Sequence, residues 1–259
     1  MKKSCFSIFF LVLFSCTKNT NIIMPHSAMQ SGNANNIQST LQFAGRVWDV
    51  TNATVGKIGP GPNYFAANNV WVDTSGNLHL MIKRNPANRK WYCAQLSTQQ
   101  SLGYGTYQFW VEGAIDKLDK NVVLGLFNYS GHDGYDEMDI EMARWGNANN
   151  ANLNYTVYPD WDDRNSGFTP QSFSQNMLLN GTYSTHRFRR TASFVRYQSL
   201  NGFTNANTNA FAAFTVNKPP FSVSKYNMPV YMNLWLFTGK APSDGKDVEV
   251  IIHAFNYMP

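Results

Sequence analysis

Apolar and polar residues alternate along most of this chain, with the two-residue period that belongs to strands. The pattern is clear over residues 68–84, "NNVWVDTSGNLHLMIKR", where it runs on both sides of Ser75-Gly76-Asn77 and predicts a hairpin. Further strands are predicted over 104–115, 122–130, 137–145, 151–159, 185–200, 229–239 and 247–258, with Gly, Asn and Pro turns between them. No window of helical length carries a 3.6-residue stripe, and no internal repeat is visible. The expectation is an all-β sandwich or jelly roll.

The first forty residues break the pattern. Lys2 and Lys3 precede "CFSIFFLVLF", an apolar run too short to span a bilayer comfortably, which ends at Ser15-Cys16. Residues 1–16 therefore read as an export signal. "LFSC" resembles a bacterial lipobox, in which Cys16 would be lipidated and become the first mature residue. Phe14 stands where such boxes prefer a small residue, so an ordinary secretory signal is the alternative. Either way the protein is expected outside the cytoplasm: in the bacterial envelope as a lipoprotein, otherwise secreted. Residues 17–40 are polar, aperiodic and rich in Asn, Ser and Thr, as a tether would be, and the domain is placed at 41–259. The lipid anchor is then the only expected membrane contact.

Composition narrows the classes. With 43% hydrophobic residues there is apolar material for one sizeable core. A net charge of +5 without a basic stripe argues against nucleic acid as partner, and a monomer is expected. Cys5 leaves with the signal and Cys16 would carry lipid, so Cys93 has no disulfide partner and reads as a small buried hydrophobe.

The candidate chemistry lies in "DEMDIEMARWG", 136–146. On a strand, Glu137, Asp139 and Glu141 share one side while Met138, Ile140 and Met142 share the other. The apolar side is core. The acidic side needs another reason, because three carboxyl groups in a row repel one another and gain nothing from burial. With Asp133 and Asp136, five of the chain's sixteen acidic residues fall within nine positions. A solvated edge strand would mix charges instead of using acids alone. A divalent cation would be wrapped by a loop, which alternate strand positions do not supply. Glycoside hydrolysis does call for two carboxyl groups flanking one acetal bond, one ionised and one protonated. Residues four apart on a straight strand are roughly 13 Å apart at Cα, whereas a retaining mechanism wants carboxyl groups about 5–5.5 Å apart. That reading therefore requires a sheet concave toward the acids. The aspartate between the glutamates would hydrogen-bond the nucleophile and hold a charge or proton nearby.

A glycan groove also wants aromatic platforms, since sugar rings present flat apolar faces. Trp145 and Trp161, among polar loop residues, and Tyr135, beside the acids, are the candidates. Trp48, Trp71 and Trp110 alternate with strand neighbours and read as packing. His132 has no second histidine at ligand spacing, so no metal site is assigned.

"EMDIE" (137–141) resembles the Glu-x-Asp-x-Glu signature of glycoside hydrolase family 16. Neighbouring segments extend the resemblance, with gaps, over residues 64–258. "FNYSG" (127–131) is similar to a lichenase segment that places Phe127 in the groove. "LNYTVY" (153–158) suggests that Asn154 lines the cleft, and "MNLWLFTG" (232–239) that Asn233 and Trp235 contact the sugar beside the scissile bond. "GYGTYQF" (103–109) fits the strand that opens the catalytic half. The resemblance implies a concanavalin-like jelly-roll sandwich of two curved antiparallel sheets. It further implies a retaining endo-β-glycosidase cutting a β-glucan-like polysaccharide at β-1,3 or mixed β-1,3-1,4 linkages. Glu137 would be the nucleophile, Glu141 the general acid/base and Asp139 their assistant. No cofactor is required, and a structural calcium stays unassigned. The chain departs from the family pattern at Ser97, where lichenases often carry an arginine, and at Thr156, where a second tyrosine is usual. Transglycosylation and a non-catalytic glycan-binding role are the alternatives; the intact Glu137 and Glu141 argue against the latter.

Overall fold

The computed structural model describes residues 39–218 and 221–259. The export signal, Cys16 and the tether as far as residue 38 lie outside the described residues. Ser39 and Thr40, read as the end of the tether, already belong to the first strand.

The strands are β1 (Ser39–Phe43), β2 (Arg46–Val50), β3 (Ala53–Ile58), β4 (Asn63–Phe65), β5 (Val70–Val72), β6 (Leu78–Arg84), β7 (Trp91–Thr98), β8 (Gly105–Glu112) and β9 (Val122–Tyr129). They continue as β10 (Glu137–Ala143), β11 (Leu153–Val157), β12 (Gln171–Gln175), β13 (Tyr183–Arg190), β14 (Phe194–Asn201), β15 (Ala210–Asn217), β16 (Val230–Leu236) and β17 (Val248–Met258). One sheet has the order β1-β2-β7-β16-β9-β10-β11-β12. The other has the order β5-β6-β17-β8-β13-β14-β15. Every pairing within these two sheets is antiparallel, and together they form the expected jelly-roll sandwich of two curved sheets. At one corner β3 pairs with β4, β4 runs parallel to the start of β7, and β7 meets the end of β6, which joins the layers.

The alternation seen in the sequence builds the core between the sheets. Met138, Ile140 and Met142 of β10 are fully buried with Leu124 and Leu126 of β9 and Met232 and Leu234 of β16. Phe109, Val111, Phe188, Val195, Val250 and Ile252 of the second sheet are buried in the same cluster. Trp48 ties the layers together: its ring meets Phe255 edge-on at 5.6 Å, and its Nε1 donates to the Phe43 carbonyl at 3.0 Å. The core also contains a bonded cluster of polar groups. His186 bonds Ser199 and Ser184 at 2.7 and 2.9 Å, Ser199 bonds the Tyr155 hydroxyl at 2.6 Å, and the Tyr197 hydroxyl donates to the Thr156 carbonyl. Burial lowers the pKa of His186 from 6.5 to about 3, so the imidazole is held neutral.

Two readings of the pattern change in detail. Residues 185–200 form two strands, β13 and β14, because Thr191 Oγ1 accepts from the Ser193 and Phe194 N–H groups and closes a tight turn. Trp71 and Trp110 do pack, but on the outer side of the second sheet, against His79 and Phe203.

Replacing the wholly buried Trp48 with alanine removes both its inter-sheet ring contact and its hydrogen bond. The expected cost is about 3–5 kcal/mol of unfolding free energy, measured by denaturant titration of wild type and variant.

Candidate active site

Register decides what stands beside the acids. Strand β10 lies between β9 and β11, and its acidic side faces away from the other sheet. Glu137 is opposite Tyr129. Asp139 lies between Phe127 and Thr156, and Glu141 between Gly125 and Asn154. One strand further, Tyr231 is opposite Phe127, Asn233 opposite Gly125 and Trp235 opposite Val123; beyond them come Ser97 and Gln95 of β7. Partners in an antiparallel ladder share a face. Phe127, Asn154, Asn233 and Trp235 therefore stand on the same side of the sheet as the three acids.

These residues do different things there. Asn154 spends its amide on structure: Nδ2 donates to the carbonyl oxygens of Ala143 and Glu141 at 3.0 and 3.4 Å, and Oδ1 accepts from Ser174. It pins the end of β10 and positions Glu141. Asn233 leans over Gly125, where a Cβ would come within 2.4 Å of its Oδ1. That close approach requires a glycine opposite Glu141. Asn233 is 2% exposed; Nδ2 donates to Gln95, and Oδ1 has no hydrogen-bond partner among the described residues, which leaves it an acceptor beside the acids. The Phe127 ring stacks on Tyr231 at 5.1 Å.

Both ends of β10 are turned by non-glycine residues with positive φ, Asp136 at +50° and Trp145 at +52°. Asp136 is buried and organises the loop before the acids. Its carboxylate accepts from the Trp161 N–H at 3.1 Å and the Ser130 hydroxyl at 3.3 Å, and bonds His132 Nδ1 at 3.0 Å. Of the five clustered acids, then, Asp133 and Asp136 serve the loop: Asp133 accepts the Tyr129 hydroxyl. Trp161 is brought to this end with Tyr135, but its ring already stacks on His132 at 4.4 Å, lies under the Arg164 guanidinium at 4.8 Å, and meets Tyr135 edge-on. At the opposite end Trp145 packs with Trp235 and Phe237. Aromatic groups thus flank the acid strand at both ends.

Electrostatics separates the three carboxyl groups. Glu137 and Asp139 are 6% and 5% exposed, whereas Glu141 is half-buried. Burial raises the pKa of all three. Glu141 is pushed from 4.5 to about 8 and so carries a proton at neutral pH. Burial, then the Glu141 charge, push Glu137 up, while a hydrogen bond from Asp139 acts in the opposite direction. For Asp139, burial, the charges of both glutamates and its bond to Glu137 all push upward. The bond between them thus lowers Glu137 and raises Asp139, as it does when Asp139 is its donor, while burial holds both groups above the ordinary carboxylate range. The same acids help hold the Tyr158 hydroxyl protonated, after burial itself.

Sequence reasoning missed Tyr231, Tyr158, Gln95 and Gly125. Two carried signals: Tyr231 is two residues before Asn233 and so on its face, and a glycine inside "VVLGLF" marks a close approach. Cys93 is buried, with its thiol pushed up to about 12 by burial, and is inert. Among the described residues no group of three or more His, Cys, Asp or Glu side chains is arranged to hold a metal ion.

No protein-family model and no curated protein sequence matches the chain. Solved structures do. A Bacillus licheniformis β-glucanase aligns with a TM-score of 0.59 at 16% identity, covering 90% of this chain and 96% of that one. A β-1,3-1,4-glucanase (lichenase) from a mouse hindgut metagenome aligns at 0.59 and 17%, covering 86% and 99%. A Bacteroides ovatus family 16 endo-glucanase aligns at 0.60 and 15%, covering 82% and 94%. At these identities the likeness is one of fold. The fold is the β-glucanase jelly roll.

The proton held by Glu141 stabilises the folded state fully below about pH 4.5, and that contribution is lost as pH rises through about 8. His186 acts with the opposite sign: because its folded pKa is depressed, stability is lost as pH falls below 6.5 toward 3. Between pH 4.5 and 6.5 these two groups offset each other, and Glu137 and Asp139, raised in the same way as Glu141, move the expected maximum toward the acid end of that range. Glu141→Gln should raise stability at alkaline pH by about 1 kcal/mol or more, read by denaturant titration across a pH series.

Proposed function

We propose that the chain is a member of glycoside hydrolase family 16 and a retaining endo-β-glycosidase of a β-glucan-like polysaccharide, with β-1,3 or mixed β-1,3-1,4 linkages as its target. The observation that carries this reading is the acidic face of β10, where Glu137, Asp139 and Glu141 stand on one side of the strand with Asn233 and Trp235 on the same face. Glu141 keeps a proton at neutral pH, and the bond from Asp139 acts to lower Glu137 against the upward push of burial. Acetal cleavage needs one carboxyl group that gives a proton and a second that attacks as carboxylate, the roles assigned here to Glu141 and Glu137. The jelly-roll fold shared with solved β-glucanases supports the same assignment.

In the first step a Glu137 oxygen attacks the anomeric carbon while Glu141 gives its proton to the departing glycosidic oxygen. Asp139 steadies the Glu137 charge until it is spent in the new bond. In the second step Glu141, now ionised, takes a proton from water; the water oxygen attacks the anomeric carbon and Glu137 leaves, so configuration is retained. Asn233 Oδ1 is placed to accept from a sugar hydroxyl at the reacting ring, and Trp235 with Trp145 offers apolar surface on the Glu141 side. Tyr135 with Trp161 offers it on the Glu137 side, more through ring edges than open faces. The enzyme acts outside the cytoplasm, tethered by lipid on Cys16.

Activity on barley β-glucan and laminarin is expected to fall by about 10²-fold or more in Glu137→Gln and in Glu141→Gln, and azide should rescue Glu137→Ala by replacing the nucleophile. Wild-type kcat/KM should decline above about pH 8 as Glu141 ionises. Unchanged turnover in both glutamine variants would end the assignment. Cys16→Ala should move the expressed protein from the membrane to the soluble fraction, checked by fractionation and fatty-acid labelling.

A further inference from the structure

A second polar site lies at the corner where β3, β4, β6 and β7 join the two sheets. A cavity of about 390 Å³ opens there, lined by Thr54, Asn68, Asn69, Lys83, Arg84, Asn85 and Tyr92 among others. The Tyr92 ring lies 5.7 Å from that of Tyr64, and two ammonium groups, Lys57 and Lys90, converge on Tyr64 at 5.6 and 4.5 Å. Arg89 adds a fifth cation on the same hairpin. None of these five forms an ion pair with a carboxylate among the described residues. The one carboxylate bonded to the hairpin, Asp247, accepts the Arg84 backbone N–H.

The arrangement is held in place. The Asn85 N–H donates to the Lys90 carbonyl and the Arg89 N–H to the Asn85 carbonyl, both at 2.8 Å, and Asn88 Nδ2 bonds the Tyr92 hydroxyl at 2.9 Å. Arg89 is fixed at φ +58°, a conformation that side chains other than glycine adopt reluctantly. Cations gathered at one corner repel one another, and a bound anion relieves that repulsion. Asn68 and the Thr54 hydroxyl in the lining suit sugar hydroxyl groups. The segment that leads into β4 also reaches the candidate active site: a Cβ on Gly61 would lie 3.2 Å from the Trp235 ring.

We propose that this corner binds an acidic saccharide unit, one bearing a carboxylate, sulfate or phosphate ester, apart from the candidate active site. This rests on the glycosidase reading for its choice of a saccharide. Binding is measured apart from cleavage, however, so the two readings fail separately.

The test is affinity electrophoresis and calorimetry on the full domain carrying Glu137→Gln, which cannot degrade the probe. Polygalacturonate and dextran sulfate are the anionic probes; neutral barley β-glucan and dextran are the controls. The parent should bind the anionic probes, more weakly as salt rises. Lys83→Ala with Arg84→Ala should weaken that binding about tenfold, and Lys90→Ala should weaken it less. A control pair of equal charge elsewhere, Lys117→Ala with Lys120→Ala, should leave it unchanged. Thermal unfolding checks that every variant is folded, and Lys90→Ala stands in if the double variant is not. Absence of binding by the parent, or equal losses in the patch and control pairs, overturns the proposal. Binding to anionic lipid vesicles that exceeds binding to both polysaccharides overturns it as well.

Discussion

Carboxyl groups on alternate residues of one strand repel, and burying them removes the water that would screen the repulsion. Glu137, Asp139 and Glu141 meet both conditions, so they cannot all be ionised at neutral pH. The folded state resolves this by keeping protons, and the environment decides where. Asp139 lies against Glu137, and their bond raises Asp139 while lowering Glu137; Glu141, with burial as its main cause, keeps its own proton. A face that weakens the fold as pH rises is the same face that holds an acid and a base a few residues apart. Stability is given up where chemistry is gained.

The surroundings serve that division. The core beneath β10 is apolar and tightly packed, so the strand does not shift to relieve the charge. Asn154 ties the last turn of the strand to β11 and β12 through the Ala143 carbonyl and Ser174. Asp136, left-handed and buried, ties the loop before the strand to Trp161, Ser130 and His132. Gly125 leaves the space that Asn233 fills beside Glu141. A larger residue there would displace the amide and open a gap next to the acid.

Much of this was legible in the sequence because it depends on period two. Alternation alone separated Met138, Ile140 and Met142 from the acids, and register then carried Phe127, Asn233 and Trp235 to the acidic side. The turn that splits residues 185–200 was less visible, since Thr191 forms it through a hydroxyl instead of a glycine or proline. Strand β12, "QSFSQ", has little apolar signal because it pairs at a sheet edge and stays largely exposed. Asn154 was read as a cleft residue; its position follows from register, but its commitment to backbone carbonyl groups depends on neighbours distant in sequence. Trp161 was read as an open platform, and only the loop geometry reveals that His132 and Arg164 already occupy its ring. The cation corner was invisible because its members come from two hairpins that no sequence window joins.

The most direct measurement is a carboxyl-carbon NMR titration of protein labelled at Glu and Asp, with signals assigned through Glu137→Gln, Asp139→Asn and Glu141→Gln. The account predicts that Glu141 is protonated at neutral pH and titrates near 8, that Glu137 ionises before Asp139, and that removing Asp139 raises Glu137. Three carboxyl groups all titrating together in the ordinary acidic range would contradict it.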